Sequence, residues 1–142
     1  RRQDTYKGGT QYTQEFTISE DQISAFADAT GDHNSIHVSD EFASRQGLEG
    51  KIAHGFLTGS IFSKVFGTLF PGEGTIYIDQ SLKFLKPVYP NTSLKATFKI
   101  LSRIGNRITI NTRIVDNDSN SLLVTGEANV IIPESVDELR IS

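Results

Sequence analysis

Ile52-Ala-His-Gly-Phe-Leu-Thr-Gly-Ser-Ile-Phe-Ser-Lys-Val-Phe-Gly-Thr-Leu-Phe70 is the stretch whose spacing decides the fold. Leu57, Ile61, Val65 and Leu69 recur at helical intervals, and Phe56, Phe62 and Phe66 widen the apolar stripe. The pattern predicts a helix from Gly55 to about Gly67, buried on most of its circumference. His54, Lys64, three glycines and several hydroxyls interrupt the run, which makes it a poor membrane span. Pro71-Gly-Glu-Gly74 then stops the helix with turn chemistry.

Beyond that stop, apolar residues recur with period two: Ile76/Ile78/Leu82/Phe84, Leu94/Ala96/Phe98/Ile100, Ile108/Ile110/Ile114 and Leu122/Val124/Ala128/Val130/Ile132. These are strands with one core-facing side each, separated by turn formers at Pro87–Ser93, Gly105-Asn106 and Asp116–Asn120. Upstream, Tyr12, Gln14, Phe16 and Ile18 form a further short strand. Ser19-Glu-Asp-Gln22 is a capping box that opens a helix carrying Ile23, Phe26, Ala27 and Thr30 on one face, and Gly31 is placed to end it. Ser39 can cap another short helix that Gly47 closes. The architecture that satisfies this is α+β, one antiparallel sheet curled around one long helix. Its free sheet edges lead us to expect a homodimer.

Composition narrows the chemistry. The 142 residues make one domain, and the absence of cysteine excludes disulfides, thiolate nucleophiles and Cys-based metal sites. Fourteen Lys+Arg against seventeen Asp+Glu give a net charge of -3, so the footprint of a general nucleic-acid binder is missing. No signal or transit pattern follows Arg1-Arg2, and the expectation is a soluble, cytoplasmic protein. Methionine is absent even at position 1, which points to a processed or trimmed product.

The functional signal lies in Asp32-His-Asn-Ser-Ile-His37, a turn-like link dense in titratable groups. On one continuous helix Asp32 and His37 would diverge by about 140°. A turn at Gly31 and Asn34-Ser35 lets them face one site and share a water, which is general acid–base equipment. The plainer alternative is that Asp32 caps the next segment and His37 is a partly buried polar residue. Gly55, at the start of the long helix, can offer its N–H to a developing negative charge, or can simply permit close helix–sheet packing together with Gly59. His33, His37 and His54 raise a zinc site, but the spacing lacks the intervening Glu of the metalloprotease motif and the segment reads as a turn. His54 equally suits a satisfied structural histidine. Ser60 and Ser63 lie outside any G-x-S-x-G elbow, and Lys83 and Lys86 read as solvated face.

Ala29-Thr-Gly-Asp-His-Asn-Ser-Ile-His37, followed by Ile52-Ala-His-Gly-Phe-Leu-Thr-Gly-Ser60 and the strand Ile76-Tyr-Ile-Asp-Gln-Ser-Leu-Lys-Phe84, resembles the hydratase-2 motif of the MaoC-like (R)-specific enoyl-CoA hydratases and dehydratases. The resemblance runs from about Phe16 to Pro133. Where the family usually has proline after the asparagine, this chain has Ser35. The resemblance implies a single hot-dog domain, taken over 12–133; residues 1–11, with Gly8-Gly9 and few apolar groups, read as a loose arm, and 134–142 as a tail. It implies reversible syn hydration of a trans-2-enoyl thioester, carried on CoA or acyl carrier protein, with no metal or redox cofactor. Asp32 would be the main base and His37 would orient the water. The Gly55 N–H would hold the thioester carbonyl, and Asn34 would fix the loop or touch substrate. Alignment from His54 onward places a supporting helix serine at Ser63, with Ser60 a weaker candidate. The competing readings are a hot-dog thioesterase and a non-catalytic acyl-thioester binding module.

Overall fold

Period-two residues become strands here because alternate side chains can bury on one helix. The computed structural model describes residues 6–132. Its strands are β1 (Gln11–Phe16), β2 (Ile76–Gln80), β3 (Lys83–Phe84), β4 (Leu94–Ile104), β5 (Arg107–Asp116) and β6 (Leu122–Ile131). They form one antiparallel sheet in the order β1-β4-β5-β6-β2, with β3 also paired to β6. The helices are α1 (Glu20–Thr30), α2 (Ser35–Val38), α3 (Asp40–Arg45) and α4 (Gly55–Thr68). Helix α4 packs across one face of this sheet through Phe62 and Phe66, the α+β arrangement expected.

Packing is aromatic at its centre. Phe62 and Phe66 of α4 meet Phe98 of β4 edge-on, at ring separations of 5.6 and 5.4 Å. Leu94, Ala96, Phe98 and Ile100 of β4 and Ile108, Ile110 and Ile114 of β5 are fully buried around them. The link between β2 and β3 crosses this inner face at Gly126. The Ser81 N–H donates to the Glu127 carbonyl at 2.9 Å, and the Glu127 N–H donates to Ser81 Oγ at 2.9 Å. A Cβ at Gly126 would lie 1.9 Å from the Ser81 carbonyl oxygen, so this position admits only glycine without backbone movement.

Three expectations need correction. Helix α4 is not buried on most of its circumference: Thr58, Ile61, Phe62, Val65 and Phe66 are buried, whereas Phe56 is 72% exposed. The sheet covers only one side of it. Nor do β2 and β3 have a core face, since Ile76, Ile78 and Phe84 are all exposed. These strands sit at the sheet's edge, where Tyr77 packs on Phe66 of the helix at 5.1 Å. The loose arm does not extend to residues 6–11. Tyr6 is in the core against Phe70, its hydroxyl donating to the Pro71 carbonyl at 3.2 Å, and Gln11 already belongs to β1. Residues 1–5 of that arm and the tail over 134–142 lie outside the described residues.

Candidate active site

Local capping sets the geometry of the site. Helix α1 opens with the full Ser19–Gln22 capping box and ends at Gly31, whose φ is 82°. The chain then reverses, and the Asn34 side-chain oxygen accepts from the Ile36 N–H at 3.2 Å to start α2. The link expected as a turn is therefore helical in its second half. Ser35 occupies the first helical position, where a proline would also fit because its missing N–H would have no intrahelical acceptor. One helical turn swings His37 inward to 8% exposure. His33 stays outside, 3.6 Å from the Asp28 carboxylate.

Asp32, His37 and His54 come together, with one ligand-type atom of each within 4.8 Å of the others. The His37 Nδ1 lies 2.8 Å from the Ile52 carbonyl. This contact assigns Nδ1–H as donor and leaves the Nε2 lone pair free. One Asp32 carboxylate oxygen accepts from the Asn34 N–H at 3.3 Å, so Asp32 caps its loop and still has a second oxygen for the site. His54 is 2% exposed. Its Nε2–H donates to the Asp32 carbonyl at 3.0 Å, and its ring stacks on His37, at 3.8 Å and 27°, and meets Phe26 at a tilt of 53°, at 4.7 Å. The zinc set of His33, His37 and His54 is not assembled, because His33 faces away. The trio that is assembled has Asp32 in place of His33.

The trio lines a cavity of about 590 Å³ together with Gly55, under a largely apolar wall that includes Phe26, Ile36, Phe84 and Val88. His54 is the N-cap of α4 and gives no side-chain cap. The Gly55 N–H is thus among the helix donors without an intrahelical partner, at the positive end of the dipole. A Cβ at Gly55 would lie 2.8–3.0 Å from the Phe84 ring, whereas one at Gly59 would meet Leu82 at an ordinary 3.5 Å. Close packing and N–H presentation therefore coexist at Gly55. Lys51, just upstream, ties to Glu20 at 2.7 Å, and that hydrogen bond holds its ammonium pKa above the usual lysine range.

The other candidates lie elsewhere. Asn34 is exposed and its side chain is engaged in the cap of α2. Ser63 is about 12 Å along α4 from Gly55. With Ser60, Tyr77 and Gln80 it lines a second cavity of about 320 Å³, and Phe56 is the wall common to both. Burial, with the Asp79 charge adding to it, pushes the Tyr77 phenol up to about 12, so at neutral pH it is a donor, here to Gln80 Oε1 at 2.5 Å. Two features of this first cavity were not read from the sequence: the bond from His54 to Asp32, and the placement of Phe84 over Gly55. Lys86, read as solvated face, also borders this cavity.

A family profile described as a MaoC like domain matches residues 3–121. An (R)-specific enoyl-CoA hydratase of Rhodospirillum rubrum is 35% identical over 117 residues, spanning 82% of this chain and 81% of that protein. A 3-hydroxybutyryl-CoA dehydratase of Methylorubrum extorquens is 34% identical over 117 residues, spanning 82% and 74%. Among solved structures, the (R)-hydratase from A. caviae involved in PHA biosynthesis superposes with a TM-score of 0.84 at 32% identity, covering 89% of this chain and 97% of that one.

Proposed function

The chain belongs to the MaoC-like family, and from that premise we propose that it is a hydro-lyase, an (R)-specific enoyl-CoA hydratase. It adds water reversibly and syn across a trans-2-enoyl thioester to give the (R)-3-hydroxyacyl product. The observation that carries this reading is the convergence of Asp32, His37 and Gly55 on one apolar-walled cavity. The Gly55 N–H holds the thioester oxygen as it gains enolate character, an interaction stronger in the transition state than in the ground state. Asp32 takes a proton from the water, and the remaining hydroxide oxygen bonds to C3. His37, locked through Nδ1, orients the water by accepting a hydrogen bond at Nε2 and helps relay to C2 the proton that Asp32 has taken. The net change is one O–H bond and the C2=C3 π bond broken, with one C3–O and one C2–H bond formed.

Purified protein is expected to consume crotonyl-CoA with loss of the enoyl-thioester absorbance and no release of free thiol. Thiol release in step with turnover would make it a thioesterase, and binding without conversion would make it a binding module. Running the acyl carrier protein thioester in parallel identifies the carrier.

A homodimer belongs to the same proposal. Phe56, Ile76, Ile78, Phe84 and Leu85 leave an apolar face uncovered beside the open edge of β2, as an interface would. Light scattering is expected to give twice the chain mass. A mass of 15.7 kDa at assay concentration would overturn it.

A further inference from the structure

We propose that His54 is a positioning residue that holds the acid–base pair together; the inference rests on the hydratase reading above. The loop bearing Asp32 is otherwise held by short-range bonds: Asp32 N–H to Thr30 Oγ1 at 3.2 Å, His33 N–H to the Gly31 carbonyl at 3.0 Å, and Asn34 N–H to the Asp32 carboxylate at 3.3 Å. Each spans two residues. The His54 Nε2–H bond to the Asp32 carbonyl spans 22, and it anchors the base to the rigid start of α4. The same ring stacks on His37, and the next residue is Gly55. One side chain therefore sets the spacing among base, imidazole and backbone donor.

The remaining nitrogen argues that this is more than core filling. His54 Nδ1 is buried with no hydrogen-bond partner among the described residues. A histidine serving only to fill space would satisfy both nitrogens, or be replaced by an apolar ring, because an unpaired buried polar atom is costly. The chain retains imidazole at this position and uses the one N–H that reaches Asp32.

The test uses the full chain with crotonyl-CoA. His54→Phe keeps a ring between Phe26 and His37 but removes the donor, and His54→Gln keeps an amide N–H of similar reach. His54→Phe is expected to lower kcat by about 10–100-fold, the scale of a small misplacement of reacting groups, with KM changed less than about threefold. His54→Gln is expected to recover most of that loss. Wild-type kcat in His54→Phe, or an equal fall in His54→Gln, overturns the inference. Should His54→Phe not fold, His54→Asn, whose amide is too short to reach the Asp32 carbonyl, replaces it under the same criteria. Wild type assayed alongside separates the two ideas: absence of turnover there overturns the hydratase reading and this inference with it, whereas turnover there with unaffected variants overturns this inference alone.

Discussion

Asp32→Asn is expected to lower kcat for crotonyl-CoA hydration by about 10²–10⁴-fold, the usual worth of a positioned general base. KM and melting temperature should be nearly unchanged. Asparagine retains a side-chain oxygen that can accept from the Asn34 N–H at 3.3 Å, so the loop keeps its local cap. What it loses is the ability to take a proton from water. The substitution therefore separates the two roles that coexist at this residue. If Asp32 were only a cap, the variant would hydrate substrate at close to the wild-type rate, and that result would end the acid–base assignment. His37→Ala should fall comparably, and the double variant should be little worse than either single one, because the pair acts on one water.

The second large effect is on stability. Gly126→Ala is expected to cost about 3 kcal/mol or more, the upper range for overpacking, because the added methyl meets backbone and not a movable side chain. The Ser81 carbonyl carbon and oxygen would lie 2.8 and 1.9 Å from the new Cβ. The crossing strand must shift, and with it the paired bonds between Ser81 and Glu127. A fall in melting temperature of roughly 10 °C is the expected readout. A melt within about 2 °C of wild type would show that the link between β2 and β3 gives way freely. Activity should drop as well, since Phe84, which packs over Gly55, lies three residues beyond Ser81.

What could be read from sequence follows from how far each signal reaches along the chain. Capping is local, so Ser19, Ser39 and the helices they start lie close to where their residue types place them, whereas the one-turn helix that Asn34 caps reads as a turn in the sequence. Period-two burial is equally local in β4 and β5, where each strand has neighbours on both sides. The same periodicity misleads at β2 and β3, because alternation shows which residues share a face and not whether anything covers that face. Asp32, His37 and Gly55 were legible through spacing and family resemblance. The link from His54 to Asp32 was not, because it joins a side chain to a backbone carbonyl, and any residue type supplies such a carbonyl. Ser63 shows the converse: its place in the alignment is clear, but helical rise carries it into the neighbouring cavity.

The bond from His37 Nδ1 to the Ile52 carbonyl has one further consequence. An imidazole tethered at one nitrogen exchanges protons only at the other, and its tether keeps the same donor and the same acceptor whether the ring is neutral or charged. The side chain can change charge without changing shape. In the proposed reaction, addition and elimination of water would then meet an identical arrangement of atoms, with no reorganisation to be undone between them. Like any catalyst, the protein leaves the balance between enoyl and hydroxyacyl thioesters to their supply and removal; what the tether adds is that neither direction has to wait for the ring to turn.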